Sequence, residues 1–459
     1  MRVPVRARQF GGMRGFLLLW SGQMISALGS SLTSFAITIW AFQETGQATA
    51  LALVGLFSFG PAIIVGPLAG ALVDRWPRKL VTALSDVAAA LASVVLLALY
   101  ATDSLEIWHL YALGAWSGVF SAFQWPATSA LISTLLPKEQ YGRSAGMMSL
   151  IWSAPAIVGP FLAALLLAVA GLGAVLLVDI ATCILAVGSL AFILVPKTAE
   201  PDPSFQRKPR LGSELAFGFR YIAARRGLLG LLLMFMAVNL VAGMTGIISS
   251  ATVLARTAND AAALSYVQAL GGIGALAGGL LMSIWGGPRV KVRGIFTCLI
   301  ASGLLGSVVF AVGKTVPLMM LGAFVYLFFE LILDGCSQAI WQSKVAPSVQ
   351  GKVFTARRMV AQALTPLSLL ISGPLADRVL EPAMNSPSES RLAELFGPLV
   401  GTGPGAGMAF LLLASGVLLA AAAFVGILNP RVTNVEAELA DHDPNIRPLT
   451  SPDRIANSL

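Results

Sequence analysis

Apolar residues run along this chain in long continuous blocks parted by short polar breaks. The blocks fall at about 16–42, 48–73, 80–101, 107–136, 141–169 and 173–195. After a polar stretch they resume at about 227–255, 261–286, 290–313, 317–346, 351–379 and 405–428. Each is at least as long as the roughly 20 residues a helix needs to cross a bilayer. A membrane β-barrel would instead show alternating segments of about ten residues. The pattern predicts an all-α polytopic membrane protein with twelve transmembrane helices.

Composition agrees: of 459 residues, 56% are hydrophobic and only 11% charged, against about 25% in ordinary soluble domains. The basic residues then test the topology. If the blocks alternate across a membrane, 26 of the 30 Lys and Arg fall on the side of the N-terminus. Only Arg256, Lys314, Arg378 and Arg391 fall opposite. The positive-inside rule reads both termini as cytoplasmic. The N-terminal block is too long for the core of a cleaved signal peptide, so it is read as an uncleaved first helix.

Residues 1–195 form a six-helix half and 227–428 a second. Between them, 196–226 is a Pro-rich cytoplasmic linker, with Ser213 to Arg226 either an amphipathic helix on the anionic inner leaflet or a solvated stretch. Residues 381–404 are the longest outer loop, and 429–459 read as a disordered cytoplasmic tail.

The break between the second and third blocks is dense in chemistry. Gly66 to Lys79 reads GPLAGALVDRWPRK: Gly70 lets the helix pack closely, Asp74 ends it, and Arg75, Arg78 and Lys79 follow at once. This segment resembles the helix 2–3 loop signature of the major facilitator superfamily, G-x-L-x-D-R-x-G-R-K, with Pro77 where glycine is usual. The resemblance implies that Asp74 sits against the positive N-terminal end of helix 11 and holds the outward-open state. Lys352, Arg357 and Arg358 are its expected neighbours there, and Asp86 would join the cluster. Gly373 to Arg378 looks like a second copy of the motif but falls on the outer face. The equivalent turn, Gly279 to Arg289, carries Ser283 where the acid belongs, so the gate is read as having its acid in the first half alone.

Helix 5 carries Gly146, Pro155, Gly159 and Pro160, a partial match to the exporter signature of the same superfamily, G-x8-G-x3-G-P-x2-G-G. The phrases around Gln124-Trp125-Pro126 and Gln338-Ala339-Ile340-Trp341 are similar to the macrolide-efflux and enterobactin-exporter branch. That branch implies a proton-driven exporter of amphiphilic compounds, its halves rocking about a midplane site. Helices 1, 4, 7 and 10 line the central cavity in the superfamily. By position this nominates Gln23, Ser26, Gln124, Trp125, Asn239, Gln338 and Trp341 as substrate-facing. The family's helix 4 arginine has no counterpart here.

On helix 10, Glu330 and Asp334 lie one turn apart on one face. Carboxylates at that depth are costly and normally face a cavity or a partner. The pair reads as a site of proton coupling or cation recognition, against an acid pair held for packing. Asp179 on helix 6 is read as structural.

Other chemistry is excluded. Gly313-Lys314-Thr315 lacks the first glycine of a phosphate loop, and Gly272-x-Gly274-x-x-Ala277 follows no strand. Neither ATP nor a nucleotide cofactor is expected. Two distant histidines and three cysteines inside apolar blocks make no metal site, and the spread of the bases argues against nucleic acid. The chain is expected to act as a monomer on protons and a small amphiphilic molecule in a bacterial cytoplasmic membrane. Proton-coupled import is the alternative, and a non-transporting sensor or scaffold a remote one.

Overall fold

The computed structural model describes residues 11–73, 76–137, 140–194, 211–346, 349–386 and 390–438. Its long elements are all helices: α1 (Gly12–Thr45), α2 (Ala48–Val73), α3 (Arg78–Ala101), α4 (Ile107–Leu135), α5 (Tyr141–Ala191), α6 (Leu211–Ala223), α7 (Arg226–Arg256) and α8 (Ala261–Trp285). They continue with α9 (Lys291–Val312), α10 (Val316–Lys344), α11 (Gln350–Asn385), α12 (Arg391–Val400) and α13 (Ala406–Leu428). Two short turns, α14 (Pro430–Thr433) and α15 (Val435–Glu438), follow. Among the described residues, ten helical stretches are long and apolar enough to cross a membrane. The α5 stretch is one of the ten although it holds two of the predicted blocks. It breaks at Gly171, whose φ of 75° is open to glycine at little cost. The 29-residue α4 is long enough but less apolar than the others.

Small residues let the helices approach to backbone contact, the main device for packing where lipid removes the hydrophobic drive. Gly274 and Gly278 on α8 lie directly on the carbonyls of Phe324 and Phe328 of α10. Gly303 on α9 and Gly416 on α13 meet backbone to backbone. In the N-terminal half, Gly22 and Gly29 of α1 seat against Ser189 and Thr182 of α5.

The apolar core divides unevenly. At the end carrying the α1–α2 and α7–α8 turns, here the distal end, one continuous core takes residues from both halves, including Phe35, Leu51, Leu176, Leu254, Phe310, Leu380 and Leu412. At the opposite, basic end the halves keep separate cores. One is built on Phe16, Leu131 and Leu190, the other on Leu231, Phe296 and Trp341.

The linker takes the helical alternative, and part of the tail expected to be disordered is ordered. The linker helix α6 docks on the start of α11, with Gly218 against Lys352 and Ala356 and Phe217 beneath the Lys352 ammonium. Around Gly218 this helix is thus in contact with protein. Residues 429–438 of the expected disordered tail are packed: Val432 and Val435 are buried beside Gly230 and Gly227. The Glu436 carboxylate accepts the N–H groups of Lys291 (3.1 Å) and Val292 (2.8 Å) and so caps α9.

Backbone contact at Gly278 leads to a matched pair of variants. Gly278→Val should cost about 1–3 kcal/mol by overpacking and lower the melting temperature in detergent. Gly279→Val, with open space at its Cβ position, should leave it unchanged.

Candidate functional site

Three helices of the N-terminal half converge on one carboxylate. Gln23 of α1 donates to Asp86 Oδ2 at 2.8 Å, and Gln124 of α4 donates to Asp86 Oδ1 at 2.7 Å. Asp86 is 1% exposed, Gln124 half-buried, and neighbouring Trp125 exposed. Asp86 therefore does not join the loop motif. Eight residues along α3 lift it about 12 Å from the start of the helix, level with the two glutamines. Ser26 does not face a cavity either. It is buried, its Oγ 3.5 Å from Cys183 Sγ on α5.

The loop bases find other partners. Arg78 donates to the Ala130 carbonyl of α4 at 2.9 Å, and Lys79 to the Ala191 and Ile193 carbonyls at the end of α5. Cations near helix C-termini oppose the negative end of the dipole. Gly70 lies in the last turns of α2; Asp74 and Arg75 lie outside the described residues.

In the C-terminal half, Glu330 and Asp334 of α10 face a small cavity of ≈ 70 Å³ shared with Phe235, Asn239, Ser302 and Tyr326. Glu330 is half-buried and Asp334 open to solvent. Among the described residues no hydrogen bond reaches either carboxylate. The Asn239 amide donates to its own helix, at Phe235 O. The counter-charge is Arg357 of α11, which interacts electrostatically with Asp334. It donates to Gln338 Oε1 (3.0 Å) and Ser337 Oγ (2.9 Å). Arg357, expected beside Asp74, is therefore turned toward α10. Its guanidinium also sits 5.0 Å over the Trp341 ring. Trp341 is 1% exposed and belongs to the core, so it is withdrawn as a substrate contact. Gln338 is committed to Arg357.

The helix 5 motif seats α5 on α1. Ser31 donates to the Pro155 carbonyl at 2.8 Å, and Gly159 lies directly on Ser31. Pro160 is buried, whereas Gly146 is exposed with nothing near it. Between the two prolines, Ile157 presses on Gly272 of α8 in the other half.

The tightest polar link between the halves is at the distal end. Asp377 of α11 accepts the backbone N–H groups of Ala48 (3.0 Å) and Thr49 (2.7 Å) and the Thr49 hydroxyl (2.5 Å). These are orphan donors of the first turn of α2, so a carboxylate of the second half caps a helix of the first. Gly373, one turn earlier, lies against the Thr49 backbone. Asp377 stands in a wider π-wound stretch, Leu375–Leu380, a bulge often found at functional positions. An acid of the second half is thus built into the contact between the halves, at the end opposite the one expected to carry the gate. The sign was the Gly373–Arg378 repeat of the loop motif, set aside for lying at the wrong end. Beside it opens a recess of ≈ 460 Å³ lined by Gln47, Asn259, Asp377, Arg378 and Glu381. Glu381 caps α13 through Gly405, Gly407 and Met408, and Arg256 ties the carbonyls of Ala311, Gly313 and Val400.

Comparison with known proteins agrees with this architecture. Residues 19–368 match the family model of the Major Facilitator Superfamily. Macrolide efflux protein A of Streptococcus pyogenes is 27% identical over 382 residues, covering 79% of this chain and 90% of that protein. The multidrug efflux pump Tap of Mycolicibacterium fortuitum is 23% identical, over 79% of this chain and 89% of its own. Among solved structures, a bacterial homologue of the human lysosomal transporter Spinster, inward-facing and unoccupied, superposes with a TM-score of 0.68. It covers 95% of this chain and all of its own at 15% identity. The nucleoside transporter NupG superposes with a TM-score of 0.62 over 89% of this chain and 98% of its own, also at 15% identity. The chain belongs to the major facilitator superfamily: it is a multi-pass membrane transporter, not an enzyme, and is similar to proteins named for macrolide efflux.

Proposed function

We propose that this protein is a secondary exporter of a small amphiphilic compound, working by alternating access and driven by proton antiport. It crosses a bacterial cytoplasmic membrane twelve times, in two six-helix halves, with both termini in the cytoplasm. The observation that carries the reading is the uneven core. The halves share one apolar core at the distal end and keep separate ones at the basic end, the arrangement of a carrier open toward the cytoplasm. In the same sense, the middle of α11 packs on α2, while its first turns pack on α6 and α7. With the distal end outside, the Asp377 cap is an outer latch. Asp74, through the loop motif, is its counterpart when the inner end closes.

Export rather than import rests on relatives named for efflux and on the helix 5 motif. Coupling is assigned to Glu330 and Asp334. They face a cavity near mid-helix and lack hydrogen-bonded partners among the described residues, and Asp334 has the cation Arg357 beside it. With two acids so close, one proton shared between them is the low-energy state. Proton uptake would release Arg357 from its charge partner and leave it held by Gln338 and Ser337 alone.

Cells expressing the protein should accumulate less radiolabelled macrolide than control cells, and a protonophore should abolish the difference. Higher accumulation on expression would mean import, and a difference that survives the protonophore would remove proton coupling. A Glu330→Gln, Asp334→Asn double variant should reach the membrane normally and lose export. Export at the wild-type rate would move the coupling site elsewhere.

A further inference from the structure

Asp179 on the second arm of α5 is 3% exposed, well inside the N-terminal half. Its carboxyl is surrounded by hydroxyls. Ser93 of α3 donates to Oδ2 at 2.7 Å and Ser30 of α1 to Oδ1 at 3.3 Å. Cys183, one turn further along α5, approaches Oδ1 at 3.9 Å. Thr33 Oγ1 faces the same carboxyl from α1, but stands outside hydrogen-bond geometry and has no other partner. Thr33 is only 7% exposed, so its oxygen is a buried polar atom left unpaired, which is costly.

Among the described residues no cation balances the site. On α1 the facing side chains, Gln23, Ser26, Ser30 and Thr33, are all neutral, and Arg14 and Glu44 lie near its two ends. On α3 the facing groups are Asp86 and Ser93. Arg78 and Lys79 are engaged at the basic end, and Tyr100 lies against Gly173. The helix α8, which also packs on α5, has Tyr266 as its only titratable residue. An ionised carboxylate so placed costs several kcal/mol in the bilayer interior. The backbone of α1 at Gly29 closes directly over Asp179 and Thr182, which leaves little room for a metal cation. A proton fits: a neutral carboxyl needs no counter-ion, and its two oxygens stay hydrogen-bonded to Ser93 and Ser30.

A line of buried groups leads from Asp179 to the polar triad. Cys183 senses the charges of both Asp179 and Asp86. Its Sγ meets Ser26 Oγ, and Ser26 lies one turn from Gln23, which donates to Asp86. Along α3, Asp86 and Ser93 are separated by about 10 Å on one face. We propose that Asp179 is a proton-binding site of the N-terminal half, its protonation coupled to that of Asp86. This extends the coupling reading above to the other half of the molecule, but its test does not depend on export.

The test is infrared difference spectroscopy of the purified full chain in lipid vesicles, between acid and alkaline buffer. Wild type should show protonated-carboxyl stretching bands that vanish on alkalinisation. Asp179→Asn, which keeps one acceptor oxygen and turns an amide donor to the other serine hydroxyl, should lose one of them. Asp86→Asn should shift the pH at which the Asp179 band vanishes. Thr33→Val, close to isosteric, should shift that band in frequency, and it decides the matter alone if Asp179→Asn fails to fold. A wild-type spectrum in both Asp179→Asn and Thr33→Val would overturn the proposal. A protein that fails to export macrolide would leave this measurement intact.

Discussion

The first turn of α2 has backbone N–H groups with no partner in their own helix, and inside a bilayer such groups cannot be left bare. Asp377, from the other half of the chain, satisfies two of them and the Thr49 hydroxyl as well. Much of the described architecture follows from where that contact falls. It draws α11 onto α2 at the distal end, and Gly373 removes the side chain that would hold them apart. Around it the two halves share a single core, and away from it they part. Charge-assisted hydrogen bonds of this kind contribute about 2 kcal/mol each, and one such bond biases a two-state gate about thirtyfold.

Acids serve the same physical purpose elsewhere in the molecule. Asp260 caps α8, Glu381 caps α13 and Glu436 caps α9. In a chain with 22 acidic residues, those left inside the helical bundle stand out. Asp86, Asp179, Glu330 and Asp334 lie in the interiors of their helices, away from the termini. Two of them are embedded in hydroxyls and amides in the first half, and two face a cavity and an arginine in the second. The halves thus differ in their chemistry while resembling each other in fold. That asymmetry suits a carrier in which one half moves protons by a different route from the other.

Much of the fold was legible because lipid imposes a simple rule. Helices begin and end within a few residues of the apolar blocks, and the loop motif at Asp74 pointed to the family that the comparisons show. What escaped the sequence reading depends on tertiary partners. Gly171 breaks α5 through a backbone angle, not a polar gap. The docking of α6 needs the exposed start of α11, and the packing of Val432 and Val435 needs two glycines 200 residues away. The site was legible as residue types and not as groupings. Gln23, Asp86 and Gln124 were each singled out, yet only the depths of three helices bring them together. Trp341 was misplaced because helical spacing shows which residues share a face, not which neighbour that face meets. Asp377 was set aside because a motif was expected to act at the end of the membrane where its relatives act.

The central claim is that the Asp377 cap holds the distal end shut. It is tested most directly by pulsed electron spin resonance between labels at Gln47→Cys and Asn259→Cys, which flank the distal recess from opposite halves. The three native cysteines are buried and carry little label. The account predicts a dominant short distance with Asp377 intact, and a second, longer distance that gains population in Asp377→Ala. An unchanged distance distribution in Asp377→Ala would contradict it.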